Sequence, residues 1–313
     1  MQKIFKKKEY RAKKSLGQNF LKSVVALKEI VKAGEISQDD IILEIGPGKG
    51  ALTEKLLEKC NHVIAIEKDR ELFELLKEKF TKEISAGKLI IFNEDILNFN
   101  VKSYKLESYK LIANIPYNIT GAIIKKFLTE EHQPSLMVLM VQNEVAKRIC
   151  VQARPRQKSK ESILSISVKA YGEPKMIMKV PARYFSPAPK VDSAIIAIKN
   201  ISRKNFIPLL PPPSRGGLGR GEFKNLAPNP SPYQGEGKKP HPNPLLEGEG
   251  ANALEEKFWE IVHAGFAHKR KKLSSNLKKY LNYPLGKTSG VELGNIRAEN
   301  LKLEDWINLA KKI

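Results

Sequence analysis

Short, continuous apolar runs recur through the first two hundred residues, and segments with helical spacing of apolar positions separate the first five of them. Apolar runs of four to eight residues bounded by turn signals are typical of strands buried on both faces. They predict seven strands, at residues 41–45, 63–67, 89–95, 111–114, 136–141, 175–180 and 193–199. The helical spacing predicts helices at 24–31, 51–59, 69–80, 145–151 and 162–171. Alternation of this kind indicates an α/β fold with a mostly parallel sheet, and the last two strands are expected as an antiparallel pair at one edge.

The pattern changes twice after residue 207. Residues 208–252 are rich in proline and glycine, with three consecutive prolines at 211–213. Such a segment cannot bury enough apolar surface to offset its ordering entropy, so it predicts a disordered insertion. Residues 253–313 return to helical spacing and predict a small all-helical domain. The main α/β domain is expected at 16–207, after a basic arm at 1–15.

The charge balance indicates the class of partner. The chain has 55 Lys and Arg against 34 Asp and Glu, a net charge of +21. A polyanion is therefore the expected partner, and nucleic acid is the commonest one, although a solvated basic surface would give the same numbers. Two clusters are candidate contacts to an RNA backbone: Lys13 and Lys14 in the arm, and the run Lys269, Arg270, Lys271 and Lys272.

The remaining composition excludes several classes. Cys60 and Cys150 form no disulfide framework and have no metal-ligand spacing, so no metal site and a reduced, cytoplasmic compartment are expected. No apolar run approaches the roughly 18 residues of a membrane span. The basic N-terminus lacks the apolar core of a secretory signal.

The first predicted strand ends in a glycine-rich turn. Gly46 and Gly48 lack a Cβ, so the backbone can lie against a ligand, and both dinucleotides and S-adenosylmethionine bind at such turns. The turn also satisfies the dinucleotide pattern with Ala51, and Glu67 follows Gly46 by 21 residues, so the glycines alone leave a dehydrogenase open. Glu44 favours a methyltransferase over a dehydrogenase. An acid there can receive the ammonium group of S-adenosylmethionine but would repel the pyrophosphate of a dinucleotide.

Acidic residues also follow the next two predicted strands. Glu67 can accept hydrogen bonds from both hydroxyls of a ribose, and Asp95 can accept one from the exocyclic amine of an adenine. Each acid alone would fit a helix cap or a solvated charge. Three successive strands that end in Glu44-x-Gly46, Glu67 and Asp95 form a far more specific set.

The fourth predicted strand ends in Asn114-Ile115-Pro116-Tyr117. Pro116 forces the strand to stop and turn, which places an amide, a restrained carbonyl and an aromatic ring at the expected ligand edge of the sheet. The Asn114 oxygen and the Ile115 or Pro116 carbonyl can accept both hydrogens of a planar amine while Tyr117 stacks on its ring. Phe185, in a proline-stiffened loop, is a candidate for the other face of that ring. A strand-to-helix turn with buried aromatics is the plainer alternative.

These residues, in this order, resemble the KsgA/RsmA family of rRNA adenine N6-dimethyltransferases, over nearly the whole chain outside 208–252. The resemblance rests on Ser15-Leu16-Gly17-Gln18-Asn19-Phe20-Leu21, Leu43-Glu44-Ile45-Gly46-Pro47-Gly48, Glu67, Glu94-Asp95, Asn114-Ile115-Pro116-Tyr117, Phe185-Ser186-Pro187, Lys190-Val191-Asp192-Ser193 and Leu273-Ser274-Ser275-Asn276-Leu277. The insertion at 208–252 departs from the family pattern. It puts only the geometry of the domain junction in doubt.

The resemblance implies a Rossmann-like class I methyltransferase domain that uses S-adenosylmethionine, followed by the helical domain. It implies a cofactor site that includes Asn19, Leu21, Gly46, Glu67, Asp95 and Asn114. It further implies that Asn114, Tyr117 and Phe185 hold the target adenine. The implied substrate is a pair of adjacent adenines in the loop of the last hairpin of small-subunit rRNA, in an immature small ribosomal subunit. A monomer is expected.

Three alternatives stay open at the level of sequence. The enzyme could methylate large-subunit rRNA or DNA adenine instead. It could be a non-catalytic assembly factor that keeps the cofactor fold, against which the intact Asn114 to Tyr117 set argues. The glycine turn alone also permits a nucleotide-dependent oxidoreductase.

Overall fold

The computed structural model describes residues 10–104, 106, 108–150, 160–207, 249–280 and 293–313. Residues 1–9 of the predicted arm and 208–248 of the predicted insertion lie outside these ranges. The strands of the described residues are β1 (Phe20–Leu21), β2 (Ile41–Ile45), β3 (His62–Ile66), β4 (Leu89–Phe92), β5 (Lys110–Asn114), β6 (Leu136–Gln142), β7 (Glu173–Val180), β8 (Phe185–Ser186) and β9 (Ser193–Lys199).

The α-helices of the same residues alternate with the strands and then close the chain. They are α1 (Val24–Ala33), α2 (Ala51–Leu57), α3 (Arg70–Lys79), α4 (Thr81–Ser85), α5 (Thr120–Thr129), α6 (Asn143–Ile149), α7 (Ile163–Tyr171), α8 (Glu249–Phe266), α9 (Leu273–Asn276) and α10 (Leu303–Lys312). Side-chain caps fix several of their first turns: Ser23 accepts from Ala26 N at α1, and Ser162 forms a capping box with Ser165 at α7.

Seven strands form one sheet in the order β4-β3-β2-β5-β6-β9-β7. The five strands from β2 to β6 pair in parallel, and β9 runs antiparallel between β6 and β7. The chain moves outward from β2 to β4 and then returns to β5 on the other side of β2. The point where the strand order reverses therefore lies between β2 and β5, where open α/β sheets bind their ligands.

Alternate residues of the central strands enter the two apolar cores on opposite faces of the sheet. In β5, Leu111 and Ala113 belong to one core and Ile112 to the other. The first core continues into the C-terminal helices through Phe258 of α8 and Trp306 of α10, both fully buried. The α/β part and the C-terminal helices thus share one core.

A polar cluster fixes α8 against the α/β part. The Glu255 carboxylate accepts from the Tyr171 hydroxyl and from Arg203 Nε, at 3.0 Å for the latter. Arg203 also donates to the Thr129 carbonyl at 2.8 Å, and Trp259 Nε1 donates to the Tyr171 oxygen at 2.9 Å. One carboxylate therefore links helices α7 and α8 with the segment after β9.

The seven predicted strands and the antiparallel edge pair are all present, with differences at some ends. The third strand stops at Phe92 rather than at residue 95, and the helix predicted at 145–151 begins at Asn143. The helix predicted at 51–59 ends at Leu57. Two short strands were not predicted: β1 pairs antiparallel with β8, Leu21 opposite Phe185. Two-residue strands leave no periodic signal in a sequence, because their pairing depends on a partner far along the chain.

The Glu255 cluster gives a testable prediction for stability. Glu255→Gln removes the charge that Arg203 and Tyr171 face, and we expect the free energy of unfolding to fall by about 1.5–3 kcal/mol. Urea denaturation followed by circular dichroism measures this. The matched control is Glu256→Gln on the exposed side of α8, expected within about 0.5 kcal/mol of the wild type. Equal losses in both variants would contradict the prediction.

Candidate active site

A cavity of about 680 Å³ opens at the carboxyl ends of β2, β3 and β5, at the reversal of strand order. Its size is in the range of small-molecule sites. Residues 15–22 form one wall of it. The predicted cofactor residues all line this cavity: Asn19, Leu21, Glu44, Gly46, Gly48, Glu67, Asp95 and Asn114. Their individual roles stay predictions.

The glycine turn leaves room for a ligand. Gly46, Gly48 and Gly50 all have positive φ, at 63°, 61° and 77°. A Cβ at Gly46 would meet nothing within 4 Å, so this backbone faces open space in the cavity. A Cβ at Gly48 would come within 3.0 Å of the Phe20 ring, which lies over the turn. The turn therefore needs glycine both for its conformation and for the contact with the wall.

Glu44 is the most deeply buried acid of the site. Only 1% of its surface is exposed, and its carboxyl accepts from the Thr53 hydroxyl at 2.7 Å. Burial raises the pKa of Glu44 to about 8, and the nearby Glu67 carboxyl adds to the rise while the Thr53 hydrogen bond opposes it. A cationic ligand beside this carboxyl would favour its ionised form.

Glu67 is held by backbone hydrogen bonds. Its two oxygens accept from Gly48 N at 3.1 Å and from Asp69 N at 2.9 Å. Burial raises the pKa of Glu67, and these two hydrogen bonds oppose the rise. Each carboxylate oxygen has a second lone pair, so the side chain can still accept from a ligand.

Asp95 lies at the rim of the cavity. Its carboxylate pairs with Lys68 at 2.7 Å and accepts from Leu97 N at 3.0 Å. The Lys68 hydrogen bond lowers the pKa of Asp95, so this acid stays ionised at neutral pH. It remains an acceptor for an exocyclic amine.

The Asn114 amide has a fixed orientation. Its Nδ2 donates to the Asn19 carbonyl in the cavity wall at 3.2 Å, which leaves Oδ1 as the acceptor end of the group. The Pro116 carbonyl, in contrast, accepts from Ile119 N and from the Thr120 hydroxyl, both at 3.4 Å, at the start of α5. The described residues place no hydrogen bond on the Ile115 carbonyl. Of the two carbonyls that the sequence left open, that of Ile115 is the less engaged, and the role of either carbonyl stays a prediction.

Tyr117 also lines the cavity, and a buried serine holds its hydroxyl. The Tyr117 oxygen lies 2.5 Å from Ser193 Oγ, and Ser193 is fully buried at the start of β9. Burial raises the pKa of Tyr117, so the phenol stays neutral. Ser193 was quoted in the family motif but not identified as a site residue.

Phe185 does not present its ring to the cavity. It is 2% exposed and belongs to the second apolar core, because β8 pairs with β1 and turns the side chain inward. The ring is therefore buried rather than open to the cavity, and the role of Phe185 at a bound base stays a prediction. Its neighbour Ser186 lines the cavity instead.

Residues 10–18, which include the described part of the predicted arm, contact the α/β domain. The Asp69 carboxylate accepts from the Tyr10 hydroxyl at 2.7 Å and from Gln18 Nε2 at 3.2 Å, and it pairs with Lys13 Nζ at 2.9 Å. We call these four residues the N-terminal clasp. Lys13, which is also predicted to contact RNA, pairs with Asp69 and with Glu71. Its partners lie more than 50 residues away along the chain, so no local sequence pattern could indicate them.

The remaining predicted RNA contacts are exposed. Lys14 is exposed. Residues 269–272 form an exposed turn between α8 and α9, and Asn276 Nδ2 holds its start by donating to the His268 carbonyl at 3.2 Å. None of the helices in the described ranges is long and apolar enough to cross a membrane.

A comparison with known protein families agrees with a methyl-donor site in this cavity. A sequence model of the family described as ribosomal RNA adenine dimethylase matches residues 9–206. The chain belongs to this family. The predicted enzyme class, an rRNA adenine dimethyltransferase, and the predicted methyl donor, S-adenosylmethionine, are confirmed with it.

Two relatives of this dimethylase match nearly all of the chain. It is 33% identical to ribosomal RNA small subunit methyltransferase A of Dehalococcoides mccartyi over 304 residues, 95% of this chain and 86% of that protein. It is 31% identical to the protein of the same name from Fusobacterium nucleatum over 309 residues, 97% of this chain and 98% of that protein.

Two crystal structures share the fold of the dimethylase. One is the 23S rRNA methyltransferase ErmE, with a TM-score of 0.62 and 24% identity over 94% of this chain and 99% of that one. The other is a dimethyladenosine transferase from Plasmodium falciparum, with a TM-score of 0.64 and 23% identity over 93% and 95%. The predicted Rossmann-like methyltransferase fold with C-terminal helices is thereby confirmed.

The raised pKa of Glu44 predicts a pH dependence of stability. The native dimethylase keeps a proton on Glu44 that the unfolded chain releases near the ordinary value of 4.5, so stability falls as the pH rises towards about 8. Glu44→Gln does not titrate. We therefore expect the stability of the wild type relative to this variant to fall by up to about 1.4 kcal/mol per pH unit in that window. Urea denaturation of both proteins at pH 5, 6, 7 and 8 measures this, and a constant difference would contradict it.

Proposed function

We propose that this dimethylase transfers methyl groups from S-adenosylmethionine to N6 of two adjacent adenines in the loop of the 3'-terminal hairpin of small-subunit rRNA. The single observation that carries the reaction type is the Asn114 amide, oriented by Asn19 so that its oxygen remains an acceptor at the tip of β5. The relatives named small subunit methyltransferase A, which match over almost the full chain, support the choice of substrate.

The residues around the cavity fit the methyl donor. Open space beside Gly46 suits a ligand pressed against the glycine turn, and the unpaired Glu44 carboxyl suits an ammonium group near it. Glu67 would accept from the ribose hydroxyls and Asp95 from the adenine amine of the donor. When bound, S-adenosylmethionine supplies an electrophilic methyl group on a sulfonium. Asn19 and Leu21 would close the site from the N-terminal wall.

The N6 amine of the target adenine is a poor nucleophile, because its lone pair is conjugated into the ring. Asn114 Oδ1 and the Ile115 carbonyl would accept its two N–H hydrogens and favour a tetrahedral nitrogen whose lone pair points at the methyl carbon. Transfer would form the N–C bond as the S–C bond breaks, with S-adenosylhomocysteine as the leaving group, and the cationic nitrogen would give its extra proton to solvent. Positioning and electrostatics supply the acceleration.

The target base must leave its RNA context to reach this pocket. Tyr117, whose hydroxyl is fixed by Ser193, would stack on one face of the base. After the first transfer the amine keeps one N–H, so one of the two acceptors is enough to orient it for the second. This permits dimethylation without a change of residues.

The exposed basic turn at 269–272 and Lys14 would contact the phosphate backbone without reading sequence. Such contacts suit a structured RNA particle, and we propose the immature small ribosomal subunit as the substrate. We propose that the enzyme acts on this particle as a monomer in the cytoplasm.

The mechanism predicts a separation of catalysis from cofactor binding. Asn114→Ala removes one acceptor of the target amine, and we expect kcat to fall by roughly 100-fold or more. The dissociation constant of S-adenosylhomocysteine, measured by isothermal titration calorimetry, should change far less. Asn114→Asp, which keeps acceptor oxygens, should retain more activity than the alanine variant. Turnover of Asn114→Ala at the wild-type rate would contradict the role of this residue.

The substrate is tested by offering immature small subunits and naked large-subunit RNA in parallel, with labelled S-adenosylmethionine. We expect label in the small-subunit rRNA, and mass spectrometry of its nuclease fragments should locate two dimethyladenosines in the last hairpin. Label mainly in the large-subunit RNA would favour a resistance-type methylase. Cofactor and RNA binding without methyl transfer would favour a non-catalytic assembly factor.

A further inference from the structure

The two carboxylate oxygens of Asp69 accept hydrogen bonds from different parts of the chain. Oδ1 accepts from Glu71 N at 2.9 Å and from Leu72 N at 3.4 Å, and it thereby caps helix α3. Oδ2 accepts from the Tyr10 hydroxyl at 2.7 Å and from Gln18 Nε2 at 3.2 Å. Lys13 Nζ lies 2.9 Å from Oδ2 and 3.1 Å from Oδ1. The side chain of Asp69 is completely buried, so its charge is compensated almost entirely by the clasp and the cap.

The clasp is reinforced from inside the N-terminal segment. Gln18 Oε1 accepts from Lys13 N at 2.7 Å and also lies 2.7 Å from the Tyr10 oxygen, whose single proton is shared between Gln18 and Asp69. The Tyr10 ring lies edge-on to Phe20, with 6.0 Å between the ring centroids. Residues 10–20 therefore form one connected unit on Asp69. Burial alone would raise the pKa of Asp69, but the hydrogen bonds from Tyr10 and Lys13 outweigh it and hold the pKa at about 2.

The same unit continues directly into the wall of the cofactor cavity. Phe20 lies over Gly48, the Asn19 carbonyl receives the Asn114 amide, and Leu21 pairs with Phe185. Asp69 itself donates its backbone N–H to Glu67, the acid expected at the ribose. A change at Asp69 is thus transmitted to both sides of the cavity, although Asp69 is not among the residues that line it.

We infer that Asp69 is a positioning residue for the cofactor: through Tyr10, Lys13 and Gln18 it holds residues 10–21 against the cavity and so sets the affinity for S-adenosylmethionine. The inference rests on the proposed cofactor site and extends it to a residue outside the cavity. Lys13 then serves cofactor binding, and Lys14, one residue away and exposed, does not.

Asp69→Asn separates the two functions of the side chain. The asparagine oxygen can still cap α3, whereas its amide nitrogen cannot accept from the clasp donors. We expect the dissociation constant of S-adenosylhomocysteine, measured by calorimetry without RNA, to rise about tenfold, as for the loss of hydrogen bonds to a charged group. Lys13→Ala should have a similar effect, Lys13→Arg should restore most of the affinity, and the matched control Lys14→Ala should bind like the wild type.

A positioning role also predicts that KM and kcat change by different amounts. In Tyr10→Phe, which keeps the ring and loses the hydroxyl, the KM for S-adenosylmethionine should rise several-fold while kcat at saturating cofactor changes less than about twofold. A merely structural role would lower the melting temperature without raising KM selectively over kcat.

The outcomes are distinguishable. Wild-type affinity in both Asp69→Asn and Lys13→Ala would overturn the role of the clasp and leave the cofactor site intact. An equal loss in Lys13→Ala and Lys14→Ala would overturn it too, because the effect would then be one of general charge. A wild-type protein that binds no S-adenosylhomocysteine would overturn the proposed cofactor site and this inference with it.

Discussion

The hydrogen bond from Asn114 to the Asn19 carbonyl joins the two halves of the active site. Asn114 ends the central strand β5, and Asn19 belongs to the N-terminal wall of the cavity. An amide that donates through its nitrogen must present its oxygen the other way, so this one contact decides whether the group can accept from a substrate amine. The wall therefore encloses the methyl donor and also orients the residue that faces the acceptor.

Two buried acids, Glu44 and Glu67, also line the cavity, and their protonation depends on the groups around them. Glu44 and Glu67 are taken out of water by the sheet and its turns, and burial raises the pKa of each. Asp69, two residues beyond Glu67, has the opposite shift because three side chains from the N-terminal segment compensate its charge. The difference follows from partners: an acid with donors around it is part of the scaffold, whereas an acid without a cation retains the capacity to bind one.

The sequence was sufficient for the sheet and for the residues of the cavity, because buried parallel strands are continuous apolar runs and their carboxyl ends meet at one edge. It was insufficient wherever the outcome depended on a distant partner. Lys13 belongs to a basic run but is paired with Asp69. Phe185 belongs to a proline-stiffened loop but pairs with Leu21 and is buried. The hydrogen bonds of the Pro116 carbonyl to the start of α5 were likewise not apparent from the sequence.

The most direct test of this account is a crystal structure with S-adenosylhomocysteine and adenosine bound together. The account predicts the thioether sulfur in the cavity between the glycine turn and Asn114. It also predicts the adenosine N6 within hydrogen-bond distance of Asn114 Oδ1 and the Ile115 carbonyl, with Tyr117 stacked on the base. A ligand sulfur outside this cavity, or an N6 amine bonded to neither oxygen, would contradict it.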